Sequence, residues 1–257
     1  LRRWPTNLLL GLDSEVLQPD GQSHRYNSSV LIREDGAVAG RYDKMHLVPF
    51  GEYLPLRDWL PFMQWLSPYD FDYSVTPGER QTRFGLGGFR FGMVICYEDT
   101  DTDLARRYVR PGGEAPVDFL VNTSNDGWFD GTSEHEEHLA VARLRAVECR
   151  RSLLRAVNMG ISAVIDGNGR VLAPQTLGTY RKASLWQVPG DGTRAAGLPP
   201  SRWHEFKKLP GVLTAVVPID HRGSLYAAWG DWLPWTCWAL LGGSLLWVLT
   251  GRFRRPG

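Results

Sequence analysis

The sequence predicts an α/β layered domain followed by one membrane-crossing helix. Three observations carry that prediction. Short apolar strand candidates are interspersed with amphipathic helix patterns across residues 7–218, the mixture typical of layered α/β domains. Residues 233–250 form an eighteen-residue run without a charge. Finally, Cys96 closes the most apolar strand candidate and is followed at once by Tyr97, Glu98 and Asp99.

Residues 7–12 read as a buried strand. Residues 28–32 read as a second, with Glu34-Asp35-Gly36 as a hairpin turn and 38–41 as its return. Residues 53–66 gather Trp59, Phe62, Met63 and Trp65 among leucines and prolines. Two readings stay open there: an arm that dips into a membrane, or an amphipathic core helix, since aromatic stripes usually pack inward. Gly85-Leu86-Gly87-Gly88 precedes a strand rather than a helix, so it predicts a hairpin turn and not a phosphate loop. Residues 89–96 are apolar nearly throughout, which predicts a strand covered on both faces.

A short helix is expected over 103–109 and a buried strand over 118–121. That strand leads into the polar loop Asn122-Thr123-Ser124-Asn125-Asp126-Gly127-Trp128. An amphipathic helix is expected over 136–150, then strands over 153–157, 161–165 and 170–173, the last two joined by a turn at Asn168-Gly169. Residues 174–210 are rich in Gly, Pro and charge with weak periodicity, and read as a long surface insertion. Residues 211–218 read as a last strand.

With 257 residues and 43% apolar content, the chain can bury the core of one large domain. Its 29 basic and 28 acidic residues give no sign of a nucleic-acid partner. Three cysteines make no disulfide framework. Cys149 and Cys237 read as small buried hydrophobes, whereas Cys96 has ionisable neighbours. The chain opens at Leu1-Arg2-Arg3-Trp4 without a methionine or a leader pattern, and is expected to be a portion of a longer protein.

As a helix, 233–250 would cover ~27 Å at ~1.5 Å per residue, close to a hydrocarbon core of about 30 Å. Trp229, Trp232 and Trp235 cluster at one end and Trp247 near the other, as interface anchors do. Gly242-Gly243-Ser244 offers a small-residue surface for a second helix. Arg252, Arg254 and Arg255 follow the run while Asp231 precedes it, which predicts a cytoplasmic C-terminus and a globular part on the other side. The expected organisation is a globular domain over 1–228, then the helix and a basic tail over 229–257.

The chemistry centres on Cys96. A thiolate is the nucleophile, and it needs a nearby cation, base or helix terminus. A cysteine where a strand turns toward a helix lies at the carboxyl edge of a sheet, where α/β sites gather. Lys44, fifty-two residues earlier, sits beside Met45 and close to Leu47. A partly buried ammonium there would stabilise the oxyanion of a tetrahedral intermediate. Glu52 would hold Lys44 or shuttle a proton. His135-Glu136-Glu137-His138 spaces its histidines three apart, whereas a helix-borne zinc pair is four apart. No metal and no cofactor is expected.

Tyr42-Asp43-Lys44-Met45-His46-Leu47-Val48-Pro49-Phe50-Gly51-Glu52, Ile95-Cys96-Tyr97-Glu98 and Asn122-Thr123-Ser124-Asn125-Asp126-Gly127-Trp128-Phe129 together resemble the nitrilase (carbon–nitrogen hydrolase) superfamily. Within it, the stretches 46–52, 124–129, 143–148 and 158–165 are similar to the apolipoprotein N-acyltransferase branch. The resemblance implies a nitrilase-type αββα sandwich and a Glu-Lys-Cys triad. Cys96 matches the nucleophile, Lys44 the catalytic lysine and Glu52 a supporting glutamate. Tyr97 and Glu98 match the residues beside the nucleophile. The first glutamate of the triad belongs on a strand upstream of 8–12. No residue matches it, and Glu15 falls after that strand.

The resemblance further implies acyl transfer from a phospholipid to Cys96 as a thioester. The acyl group then passes to the α-amino group of a lipoprotein's N-terminal diacylglyceryl-cysteine. The implied partners are a phospholipid donor, a diacylated apolipoprotein acceptor and the membrane, with no nucleic acid. The implied location is the bacterial inner membrane, multi-pass in the intact protein, with the catalytic domain periplasmic. Two other readings stay open: an amidase of the same fold hydrolysing a small amide, and a noncatalytic fragment that binds lipid or partner helices.

Overall fold

A computed structural model describes residues 6–17, 21–57, 59–66, 73–130, 132–190 and 195–253. The opening Leu1 to Trp4 and the basic Arg254 and Arg255 lie outside the described residues.

β1 (Leu8–Leu17), β2 (Ser23–Ile32) and β3 (Val38–Asp43) form an antiparallel meander. β4 (Arg83–Leu86), β5 (Phe89–Ile95), β6 (Phe119–Asn125), β7 (Ser152–Asn158) and β8 (Ala163–Ile165) form a second sheet in that order. Its central strands β5, β6 and β7 run parallel, with β4 and β8 antiparallel at the edges. The parallel trio brings three strand ends to one edge: Ile95, Asn125 and Asn158. Gly87 and Gly88 both have positive φ, 58° and 85°, and make the tight β4–β5 turn expected from the glycine run.

The two sheets pack face to face. Leu31 and Tyr42 from the meander meet Phe84, Phe91, Met93, Ile95 and Val121 in one cluster. Phe84, Phe91 and Phe119 stack in sequence with centroids 5.0 and 5.3 Å apart. On the other face of the five-stranded sheet lie α1 (Thr102–Arg107) and α2 (Glu134–Cys149). Val94, Leu104, Tyr108, Leu120, Leu139, Ala142, Ala146 and Leu153 fill that interface. Gly92 lets the Tyr108 ring lie against the sheet, since a Cβ there would meet the ring at 2.6 Å. The Tyr108 hydroxyl then donates to the Met93 carbonyl at 2.9 Å. Helix layer, sheet and sheet are three layers of the expected αββα sandwich.

α2 carries the buried stripe His135, His138, Leu139, Ala142, Arg145, Ala146 and Cys149 at helical spacing. Acidic Glu134, Glu136 and Glu137 occupy its first turn, where the helix dipole favours them. Arg150 ends it in a left-handed conformation, its N–H returning to Ala146 and Val147. α3 (Leu225–Trp229) docks on α1, its last carbonyls accepting from the Arg106 guanidinium. α4 (Trp232–Phe253) follows, and its Trp232–Thr250 segment is long and apolar enough to cross a membrane. None of that segment is buried against protein.

Six expectations are corrected. Strand 7–12 is not buried: Leu8, Leu10 and Leu12 are 37–40% exposed. β1 is the edge of its sheet, and the two-residue period turns Leu9 inward and its neighbours outward. β1 also runs on to Leu17, so Glu15 lies within it, exposed.

The stretch 174–210 is not weakly structured. β9 (Gln175–Tyr180) and β10 (Ala183–Gln187) form a hairpin, and β11 (Gly211–Thr214) adds to β10 in parallel. Arg181 and Lys182 make its two-residue turn with φ of 47° and 71°. Such turns usually announce themselves with Asn or Gly, and here they do not. A 3-10 turn over Pro200–Phe206 buries Trp203 nearby.

Residues 170–173 make only isolated bridges, Ile165 with Val171 and Leu172 with Gly197. The aromatic stretch 53–66 forms turns rather than a core helix, ending in a 3-10 segment over Pro61–Leu66, with Trp59 and Trp65 84% and 88% exposed. Cys149 is buried as expected, which pushes its thiol up to about 12. Cys237 is exposed, because it lies on α4.

Candidate active site

β5 ends at Ile95, and the chain folds immediately into a 3-10 turn over Cys96–Thr100. Cys96 takes the first position with φ of 51°. A left-handed conformation costs a non-glycine residue about 1–2 kcal/mol, so the surroundings must hold it. They do so through its carbonyl, which accepts from Asn122 Nδ2 at 3.2 Å and from His138 Nε2 at 3.3 Å. The Cys96 side chain is half-buried at the carboxyl edge of the sheet.

Lys44 follows β3 and is 1% exposed. Its Nζ reaches both Glu52 oxygens, at 2.8 and 2.7 Å. Glu52 also accepts from Asn27 Nδ2 at 3.1 Å and from the Val48 N–H at 2.8 Å. The Lys44 backbone is pinned as well, donating to Asn27 and accepting from Gly78 at 2.8 Å each. A long, rotamer-rich side chain is thereby fixed as a buried point charge.

Glu98 joins these two parts. Fully buried, it accepts at Oε2 from the Ile95 N–H at 2.6 Å, closing the turn around Cys96. Its Oε1 accepts from the Tyr42 hydroxyl and from the Met45 and His46 N–H groups, at 2.8, 2.7 and 3.1 Å. One carboxylate therefore ties the cysteine turn to the two residues after Lys44. Burial pushes the Glu98 carboxyl above its ordinary value, against the pull of the Ile95, His46, Tyr42 and Met45 donors. All four of these neighbours are donors, which is the environment of an ionised carboxylate. Burial, and then the Glu98 charge, drive the Tyr42 phenol far above its usual range, so it stays a donor.

Tyr97 is 41% exposed and meets the His46 ring edge-on, with centroids 5.7 Å apart. His46 in turn contacts Asp101 at 2.9 Å, and Asp101 caps α1 through the Leu104 N–H. The five residues singled out from sequence thus fall into one region, with Glu98 as the link between Cys96 and Lys44.

Sequence reasoning missed what lies beneath the cysteine. Asp99, Asp126, His138 and Arg155 form a buried quartet. Arg155 spans the two aspartates at 3.0 and 3.2 Å, and His138 spans them again at 3.1 Å on each side. Burial opposes the charge on His138, but Asp126 and Asp99 outweigh it and hold the imidazole at about 10. Against its own burial, Asp126 is held below the usual carboxylate range, chiefly by His138. The available signal was Arg155 inside the apolar strand 153–157, since an arginine there must find anions.

Asp126, Glu134 and His135 each bring a possible ligand atom within 4.8 Å of the others. Both Asp126 oxygens are already engaged, by His138, Ser124 and Arg155. A metal cation there would face two cationic side chains, which the donor set does not favour. A cavity of about 820 Å³ lies between the sheets and is lined by neither Cys96 nor Lys44. A cleft of about 600 Å³ borders the Lys44 loop, lined by Met45, His46, Leu47, Tyr53, Leu54 and Arg57 among others.

A cysteine on a strand-end turn, a buried lysine–glutamate pair and a glutamate between them, carried on two packed sheets, make up the candidate site. The family signature described as carbon-nitrogen hydrolase matches residues 1–180, and the chain belongs to that family. Among curated relatives, it is 40% identical over 159 residues to an apolipoprotein N-acyltransferase of Geobacter metallireducens, covering 62% of this chain and 29% of that protein. It is 29% identical over 262 residues to one of Chlorobaculum tepidum, covering 93% of this chain and 42% of that protein. The chain therefore spans about a third of the length of such relatives. Solved structures with similarity include a carbon-nitrogen hydrolase from Helicobacter pylori G27, at TM-score 0.47 and 19% identity over 65% of this chain and 56% of that one. An amidase from Neterenkonia sp. AN1 gives TM-score 0.45 and 20% identity over 65% and 57%.

Proposed function

We propose that this chain is the catalytic portion of a lipoprotein N-acyltransferase. In this reading Cys96 attacks the ester carbonyl of a phospholipid, the ester C–O bond breaks, and lysophospholipid leaves with a proton. The acyl group rests on Cys96 as a thioester. The α-amino group of a lipoprotein's diacylglyceryl-cysteine then attacks, the C–S bond breaks, an amide forms, and the amine's proton returns to the site. Lys44 supplies positive charge to the oxyanion of each tetrahedral intermediate, and Glu52 holds Lys44 for that purpose. The observation that carries the reading is the Glu98 link, which ties a strained, half-buried cysteine to a buried lysine.

Neither Glu52 nor Glu98 suits the part of general base. Glu52 accepts from Lys44, Asn27 and Val48, and Glu98 from four donors. Glu52 is filled by its four bonds, and Glu98 is fully buried and committed to bracing the segments of Ile95, Met45 and His46, so neither is placed to take the Cys96 proton. The base is then a further carboxylate, as the family resemblance implies, and Glu15 is excluded by its exposed place on β1.

Membrane substrates fit two surfaces. α4 is the length of a span, with Trp235 and Trp247 exposed toward its two ends. Trp59, Phe62 and Trp65 project as a second apolar surface. In this reading α4 crosses the bacterial inner membrane and the domain sits on its periplasmic side. The cleft beside His46, lined by apolar side chains together with Arg57, Asp101 and Arg107, receives the phospholipid.

The test is mass spectrometry of the Cys96 peptide after incubation with phospholipid vesicles, in a full-length N-acyltransferase carrying these residues. A thioester-linked acyl group is expected on Cys96, absent in Cys96→Ser and retained in Cys149→Ser. Release of ammonia from small amides without any acyl adduct would favour the amidase reading instead.

A further inference from the structure

The buried quartet under Cys96 is absent from the acyl-transfer steps above, yet it touches the nucleophile's own backbone. His138 Nε2 lies 3.3 Å from the Cys96 carbonyl oxygen and 3.1 Å from Asp99 Oδ1. His138 Nδ1 lies 3.1 Å from Asp126 Oδ1, which also accepts from the Ser124 hydroxyl at 2.6 Å. Every partner of both ring nitrogens is an acceptor oxygen. A neutral imidazole has one N–H and would set a lone pair against one of them, so the geometry requires both nitrogens to be protonated.

We propose that His138 is a positioning residue for Cys96: clamped between Asp99 and Asp126 and bonded to the Cys96 carbonyl, it holds the left-handed turn and keeps a cation beneath the nucleophile. This rests on reading Cys96 as the nucleophile. The charges that face His138 come from every element around it. Asp99 stands on the Cys96 turn, Asp126 after β6, Arg155 on β7 and Glu134 one helical turn earlier on α2. Asp99, Asp126, Arg155 and His138 sum to zero, so the quartet is neutral only while His138 is charged. With His138 charged, the quartet therefore sets no net negative charge beneath Cys96.

The electrostatic part separates from the structural part by a charge-swap cycle. His138→Gln keeps a donor for the Cys96 carbonyl but leaves the quartet at −1. Alkylation of Cys96 by iodoacetamide, read on its own peptide so that Cys149 and Cys237 do not interfere, should slow about three- to ten-fold near pH 7, with its profile displaced to higher pH. His138→Gln with Asp126→Asn restores neutrality, and the profile should return most of the way toward the original. A purely structural role predicts the opposite, since two core changes compound.

A rate unmoved by His138→Gln, or a double variant slower than the single, would overturn the proposal and leave the proposed function standing. A Cys96 inert at every pH in the unmodified chain would sink both. Should the variants not fold, ring-nitrogen NMR of the unmodified chain decides the question. Both His138 nitrogens are expected to carry protons at pH 8, and a neutral ring there refutes the proposal.

Discussion

Replacing Glu98 by Gln changes one oxygen for an NH₂ group and tests whether this residue is the brace between Cys96 and Lys44. The amide oxygen can keep the three donors now at Oε1, from Tyr42, Met45 and His46. Its NH₂ must then face the Ile95 N–H, which now sits 2.6 Å from Oε2. Flipping the amide is worse, because it sets the NH₂ against three donors. The loss is one charge-assisted hydrogen bond, about 1.5–3 kcal/mol, plus a buried unpaired donor at about 1–3 kcal/mol.

The sum places the destabilisation at about 2.5–6 kcal/mol. Urea unfolding in detergent, followed by tryptophan fluorescence, measures it. Tyr42→Phe is the control. It removes one donor from a three-donor oxygen and should cost only about 1–2 kcal/mol. Because Ile95 directly precedes Cys96, Glu98→Gln should also slow Cys96 alkylation. A Glu98→Gln protein within 1 kcal/mol of the original would refute the bracing role.

Three further outcomes follow from the same contacts. Lys44→Met removes the cation from a buried pair and strands Glu52, whose side chain is 18% exposed, so a cost of about 2–4 kcal/mol in urea unfolding is expected; an unchanged midpoint would show the pair to be dispensable. The His138 imidazole is raised from 6.5 to about 10, so the stability it contributes is complete below about pH 6.5 and is lost as pH rises through about 10. Unfolding free energy should therefore fall across that window, by at most about 5 kcal/mol, with a much flatter profile in His138→Gln; parallel profiles would contradict this. In reconstituted vesicles, a phospholipid with a photoreactive acyl chain should label the peptide bearing Trp59, Phe62 and Trp65, and Trp59→Asp with Trp65→Asp should at least halve the yield. Labelling confined to α4 would show that the aromatic segment stays out of the bilayer.

What could be read from the sequence was local. A cysteine closing an apolar strand, a lysine among apolar neighbours, the Gly87-Gly88 turn and the uncharged C-terminal run each declare themselves within a few residues. Glu98 was legible as a neighbour of Cys96 but not as a brace, because its partners Met45 and His46 lie more than fifty positions away. The quartet draws on Asp99, Asp126, His138 and Arg155 from four separate segments, and no spacing within one segment reveals it. The hairpin after 174 was hidden by Arg181 and Lys182, which adopt positive φ without the residues that favour it. The exposure of β1 was invisible for a different reason: a leucine-rich run looks the same whether or not a further layer covers it.

Among the described residues, β1 pairs with β2 on one side only. Its other side is a ten-residue rail of main-chain donors and acceptors. Leu8, Leu10 and Leu12 stand in a row on the outward face beside it. An extended segment with apolar residues at every second position finds there both a hydrogen-bonding partner and a greasy strip to rest on. Covered, that rail extends the sheet that holds Lys44. Bare, it is the line along which copies of the chain would zip to one another, and shielding it decides whether a purified sample stays monodisperse.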